Sequence, residues 1–141
     1  MISAVNTGFY NKLISSTGLQ TALGGSGSDK KIYAIKAPQS ATVPYVTFGL
    51  ETDVPMGTFQ DQTAMESLTY WINVFSSTSV ANVTTLTDLV LAIMDDASLT
   101  VAGYTGMKCV REFMGAIMWD MDTKIFQCPL RYRVWIDKDN N

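Results

Sequence analysis

Between Ser67 and Ala97 the spacing of apolar positions changes from two to three and four. Leu68, Tyr70, Ile72 and Val74 alternate with Thr69, Trp71, Asn73 and Phe75. A period of two among aromatic and β-branched residues predicts a strand with at least one buried face. Ser76, Ser77, Thr78 and Ser79 then interrupt the alternation, and their hydroxyls suit the first free N–H groups of a helix. From there Val80, Val83, Leu86, Val90, Ile93, Met94 and Ala97 recur at helical spacing, with Thr84, Thr85, Asp88 and Asp95 opposite. The pattern predicts a long strand feeding a helix that packs back onto its sheet.

The remaining segments supply partners for that unit. Residues 3–16 read as a helix with Val5, Phe9, Leu13 and Ile2 sharing a face, Tyr10 and Ile14 beside them, and Ser3 as N-cap. Thr17 and Gly18 interrupt it, Leu19, Ala22 and Leu23 make a further turn, and Gly24-Gly25 ends it. After a glycine-rich exposed loop, 25–31, short strands are expected at 32–35 and, opened by Pro44, at 45–50. Residues 51–65 read as the extended ends of two strands around a long loop. Met56 and Phe59 there either form a contact surface or fold back on the core. Residues 107–114 form a strand of mixed alternation, near an edge or covered by a neighbour. A polar turn at 119–123 leads to a last strand over 124–136. Its apolar face is Phe126, Cys128, Leu130, Tyr132, Val134 and Ile136, and Pro129 predicts an edge position or a bulge. Short connections between successive strands imply a mainly antiparallel sheet. The expectation is a single α+β domain over 1–141, a two-layer sandwich with two principal helices on one face.

Composition narrows the function. Charged residues make up 16% of the 141, below the usual quarter or so. Such a neutral surface is either rich in Ser, Thr, Asn and Gln or partly covered by other subunits. Ten basic residues stand against thirteen acids, for a net charge of −3. Without a basic run, tight binding of nucleic acid is not expected, although a surface past which DNA slides is compatible. No apolar run reaches the ~18–20 residues of a membrane span, and the start lacks the pattern of a signal peptide. Cys109 and Cys128 lie in predicted strands without a CxxC spacing and read as buried free thiols.

Candidate chemistry is sparse. With no histidine, the commonest general base and most zinc and iron sites are missing. Neither GxxxxGK[ST] nor GxGxxG occurs. Asp120 and Asp122 read as turn formers, and Asp95-Asp96 sits where the helix dipole disfavours acids. Arg111, Arg131 and Arg133 lie on adjacent strands, either to pair with acids of a neighbouring subunit or as a solvated face. No enzymatic activity, cofactor or metal is expected.

One arrangement does carry a likeness. An N-terminal helix is followed by Leu19-x-x-Ala22-Leu23-Gly24, Ile32-Tyr33, Ala37-Pro38 and Pro44-Tyr45-Val46. A long strand ending Val74-Phe75-Ser76, the helix from Val80, a hairpin with an acidic turn and the strand 126–136 complete it. Over nearly its whole length this order resembles the tail-completion, or tail-terminator, proteins of long-tailed phages, to which the terminator of phage lambda is related. The resemblance implies a structural virion protein assembled in the host cytoplasm: a homo-oligomeric ring, usually a hexamer, at the head-proximal end of the tail. Such a ring stops polymerisation of the tail tube protein, offers a surface to the head connector and lets DNA through without specific binding. On that reading Met56, Phe59, Arg111, Arg131 and Arg133 are candidates for subunit or tube contacts. Glu51, Asp53 and Asp61 are candidates for an acidic lumen.

Overall fold

In the computed structural model, which describes residues 1–25, 27–56 and 65–137 (at 105–107 the backbone alone), the elements follow in one order. They are α1 (Ile2–Ile14), α2 (Thr17–Leu23), β1 (Ile32–Ala34), β2 (Tyr45–Met56), β3 (Met65–Ser76), α3 (Val80–Met94), β4 (Ala97–Ser98), β5 (Thr105–Met114), β6 (Met118–Asp120) and β7 (Ile125–Asp137). The described strands form one seven-stranded sheet in the order β1-β2-β3-β7-β5-β4, and β6 pairs with β7 beyond the end of β5. β1 runs parallel to β2, and every other described pairing is antiparallel. The α+β architecture expected from the periodicities is the one observed.

The inner face of the sheet follows the alternation closely. Leu68, Tyr70, Ile72 and Val74 of β3 and Cys128, Leu130, Tyr132, Val134 and Ile136 of β7 are fully buried or nearly so. Val5, Phe9 and Leu13 of α1 and Val83, Leu86, Val90 and Met94 of α3 meet them in one core. The Phe9 ring stacks on Tyr70 with centroids 4.6 Å apart. Helix α3 is rich in β-branched residues, each costing roughly 0.5 kcal/mol of propensity. Burial of its apolar face outweighs that, at roughly 1.5–3 kcal/mol for each large side chain.

The helix boundaries differ from the expectation in three places. Helix α1 already begins at Ile2, with the Met1 carbonyl accepting from Val5 N at 3.0 Å, so Ser3 lies inside the first turn and caps nothing. The small turn at 19–23 is a true helix. The Ser16 hydroxyl accepts from Leu19 N at 3.1 Å, and Gly24 ends it at φ 74°, a left-handed value that glycine adopts freely. Helix α3 stops at Met94, and Ala97 belongs to β4. Val80 is left 52% exposed. The buried stripe includes Thr87 instead, whose hydroxyl is satisfied by the Val83 carbonyl at 2.8 Å.

Pro129 sits neither at an edge nor in a bulge of its own strand. β7 is interior, with β3 along one flank. On the other flank the partner changes: β5 ends opposite Leu130 and β6 begins opposite Gln127. The Pro129 carbonyl accepts from Gly115 N at 2.8 Å on that flank. A residue's N and O point the same way in an antiparallel ladder, so the missing donor of proline faces the joint between two strands. Gly115 is required there, since a Cβ would stand 2.6 Å from Pro129 Cγ.

Candidate assembly surface

The helices cover the inner face of the sheet, and no described helix covers the outer one. Register places the outer residues in rows across the strands. Tyr45, Phe75, Gln127 and Met118 form one row, and Gly49, Trp71, Arg131 and Phe113 another. Thr52, Thr69, Arg133 and Val110 follow, then Val54 with Ser67 and Trp135. Gly49 makes room for its row: a Cβ there would meet the Trp71 ring and Ile35 at 2.6 Å. Tyr45 packs on Phe75 with centroids 5.1 Å apart.

Two β-bulges aim acids across this face. The β2–β3 register jumps between Leu50 and Thr52, which leaves Glu51 as the extra residue. The β5–β7 register jumps between Arg111 and Phe113, which leaves Glu112 as the extra residue. A bulge re-aims the side chain it inserts. Glu51 meets Arg131 Nε at 2.8 Å, and Glu112 pairs with Arg133. The Arg131 guanidinium also lies 5.3 Å from the centre of the Phe113 ring, a cation–π contact.

Of the residues singled out in the sequence, the structure brings Arg131 and Arg133 together on the outer face, each with an acid of its own chain. Arg111 lies apart, level with inner-facing Tyr132. It stands 3.6 Å from Asp95, which also accepts from the Tyr132 hydroxyl at 2.7 Å. Asp96 pairs with Lys108 at 3.6 Å. Cross-strand partners therefore account for the acids at the end of α3. Met56 ends β2 and is 46% exposed, on the same face as Val54 at 54%. Asp53 points to the opposite face, at the level of Leu68. Its charge adds to burial in raising the Tyr70 pKa. Phe59 and Asp61 lie outside the described residues.

Sequence reasoning passed over Glu112, Phe113, Met118 and Met121, the last three of them exposed apolar side chains near the free flank of the sheet. The mixed alternation of 107–114 was the available signal. Asp120 behaves as expected of a turn former, accepting from Asp122 N at 2.9 Å, which holds its carboxyl below the usual range. Cys109 and Cys128 are free and buried. Burial pushes the Cys109 thiol up to about 12. Among the described residues no group of three or more Cys, Asp or Glu side chains could hold a metal ion, and no helix is long and apolar enough to cross a membrane.

The sheet thus has one face covered by helices and one, bearing aromatic rows and two ion pairs, that no described helix covers. The profile of the family described as tail completion protein gp17 matches residues 8–137, and the chain belongs to that family of bacteriophage structural proteins. Comparison with curated protein sequences finds no significant match. Among solved structures, a chain of the virion of a native gene transfer agent particle is similar, with a TM-score of 0.73 and 14% identity over 93% of this chain and 92% of that one. At that identity the likeness is one of fold.

Proposed function

We propose that this tail completion protein is a tail terminator. In this reading it forms a homo-oligomeric ring, most simply a hexamer, on the head-proximal end of the tail tube. The ring blocks further addition of tube protein and presents a joining surface to the head connector, and DNA passes through its centre. The observation that carries the reading is the open outer face. Its aromatic rows lie beside two Arg–Glu pairs, and the apolar residues Val54 and Met56 extend along β2 beyond them. Exposed apolar side chains gathered in this way suit subunit contacts.

Met56, Phe59, Arg131 and Arg133 are the contact candidates of this reading, with Arg111 at the flank. Glu51, Asp53 and Asp61 are its lumen candidates, where negative charge keeps phosphates from sticking. Within one chain Glu51 is already paired with Arg131, so its charge would face the lumen partly neutralised.

The test is tail length by negative-stain microscopy in a phage or induced prophage deleted for the gene. Overlong tubes without heads are the expected result. Normal-length tails without heads would replace termination by a joining role, and normal infectious particles would overturn both. Charge reversal at Glu51, Asp53 and Asp61 together should lower infectivity. Unchanged infectivity would remove the lumen assignment alone.

A further inference from the structure

Two exposed features lie on opposite flanks of the sheet and complement each other. The first is a groove of about 420 Å³ between α1 and the edge strand β1, lined by Tyr10, Ile32, Ala34, Pro38 and Phe48, with Lys36 at its rim. Lys30 and Lys31 stand immediately before β1, so this flank carries a local excess of positive charge despite Asp29. The second is the hairpin joining β6 to β7. Its turn residue Met121 is 77% exposed and stands between Asp120 and Asp122, and with Lys124 closing the turn the hairpin keeps a net charge of −1. Met118 and Trp119 on β6 are about half exposed.

We propose that this hairpin of one copy docks in the β1 groove of the next copy, with Met121 as the inserted side chain and the aspartates facing Lys36 at its rim. The proposal rests on the ring reading and names the contact that builds the ring. Three observations support it. One surface is convex and apolar and the other concave and apolar. The charges around them are opposite. Both lie at the same end of the sheet: β1 is level with Val46 to Phe48, and Met118 of β6 is level, through Gln127 and Phe75, with Tyr45. A contact between two different patches on opposite flanks is heterologous and repeats head to tail. With both patches at one level along the strands, successive copies need little translation along the strand direction.

The test uses the full chain and two substitutions at exposed positions, Met121→Asp on the hairpin and Ala34→Glu in the groove. Circular dichroism and melting should match the wild type. By mass photometry or sedimentation each variant alone should lose the ring, with association weakened at least about tenfold. Mixed one to one, they should form a dimer and nothing larger, because each variant retains one intact surface. Rings formed by wild type and by both variants alike would overturn this contact and leave the ring reading standing. A wild type that stays monomeric at high concentration, alone and on tail tubes, would overturn the ring reading and this contact with it.

Discussion

At the scale of single residues, burial fixes the ionisation of several groups that the sequence leaves ordinary. Tyr132 lies under α3, and its hydroxyl donates to Asp95, so its pKa is pushed up by burial first and by that carboxylate second. Cys109 faces the same corner, raised by burial and then by Asp95. A thiol whose folded value lies above its unfolded 9.0 keeps its proton in the native state while the unfolded chain loses it. Its contribution is therefore fully present below pH 9 and is lost as pH rises from 9 towards about 12. Chemical denaturation at pH 7, 9 and 10.5 should show stability falling over that window, and the fall should be shallower in Cys109→Ala. A slope unchanged by the substitution would assign the loss to other groups. That both cysteines are buried free thiols was legible in the sequence. The coupling of Cys109 to the end of α3 was not, because Asp95 meets β5 only through tertiary packing.

At the scale of elements, long periodic segments were legible and their interruptions were not. β3, α3 and β7 follow from apolar spacing because one face of each is buried continuously. A bulge leaves no such mark. Glu51 and Glu112 are ordinary strand residues in the sequence, and only the register with β3 and β7 shows them to be extra. Pro129 misled for a related reason: its missing donor is accommodated by the gap between two partner strands, a property of neighbours distant in sequence. The start of α3 was readable, and it gives a local prediction. The Ser79 hydroxyl accepts from Asn82 N at 3.0 Å. Ser79→Ala should cost about 1 kcal/mol, seen as a lower urea midpoint at constant slope. Ser77→Ala, at an exposed neighbour, should leave the midpoint within error.

At the scale of the whole molecule, β3 and β7 pair along their full lengths and each has a strand on its other side. β1 contributes three residues at an edge. Opening β1 exposes little, whereas opening β3 or β7 breaks the core. Native-state hydrogen exchange should therefore find the slowest amides in β3 and β7, exchanging near the global limit, and the fastest strand amides in β1. Slow amides confined to β1 and β2 would contradict this hierarchy. The low charge left two readings open, a surface rich in Ser, Thr, Asn and Gln or one covered by other subunits, and the distribution of that surface became visible only once both faces of the sheet were known.

The paired glutamates also act as a two-digit key for β7. The inward side chains from Phe126 to Ile136 are hydrocarbon or thiol apart from the Tyr132 hydroxyl, so sliding the strand by two positions would leave the core side satisfied except for that hydroxyl's bond to Asp95. The outward side would not be. In one direction Glu51 would face Pro129 in place of Arg131, and in the other Glu112 would face Trp135 in place of Arg133. Only one alignment gives both acids a cation, so the ions on the open face add a second check on the register that Tyr132 marks within the core.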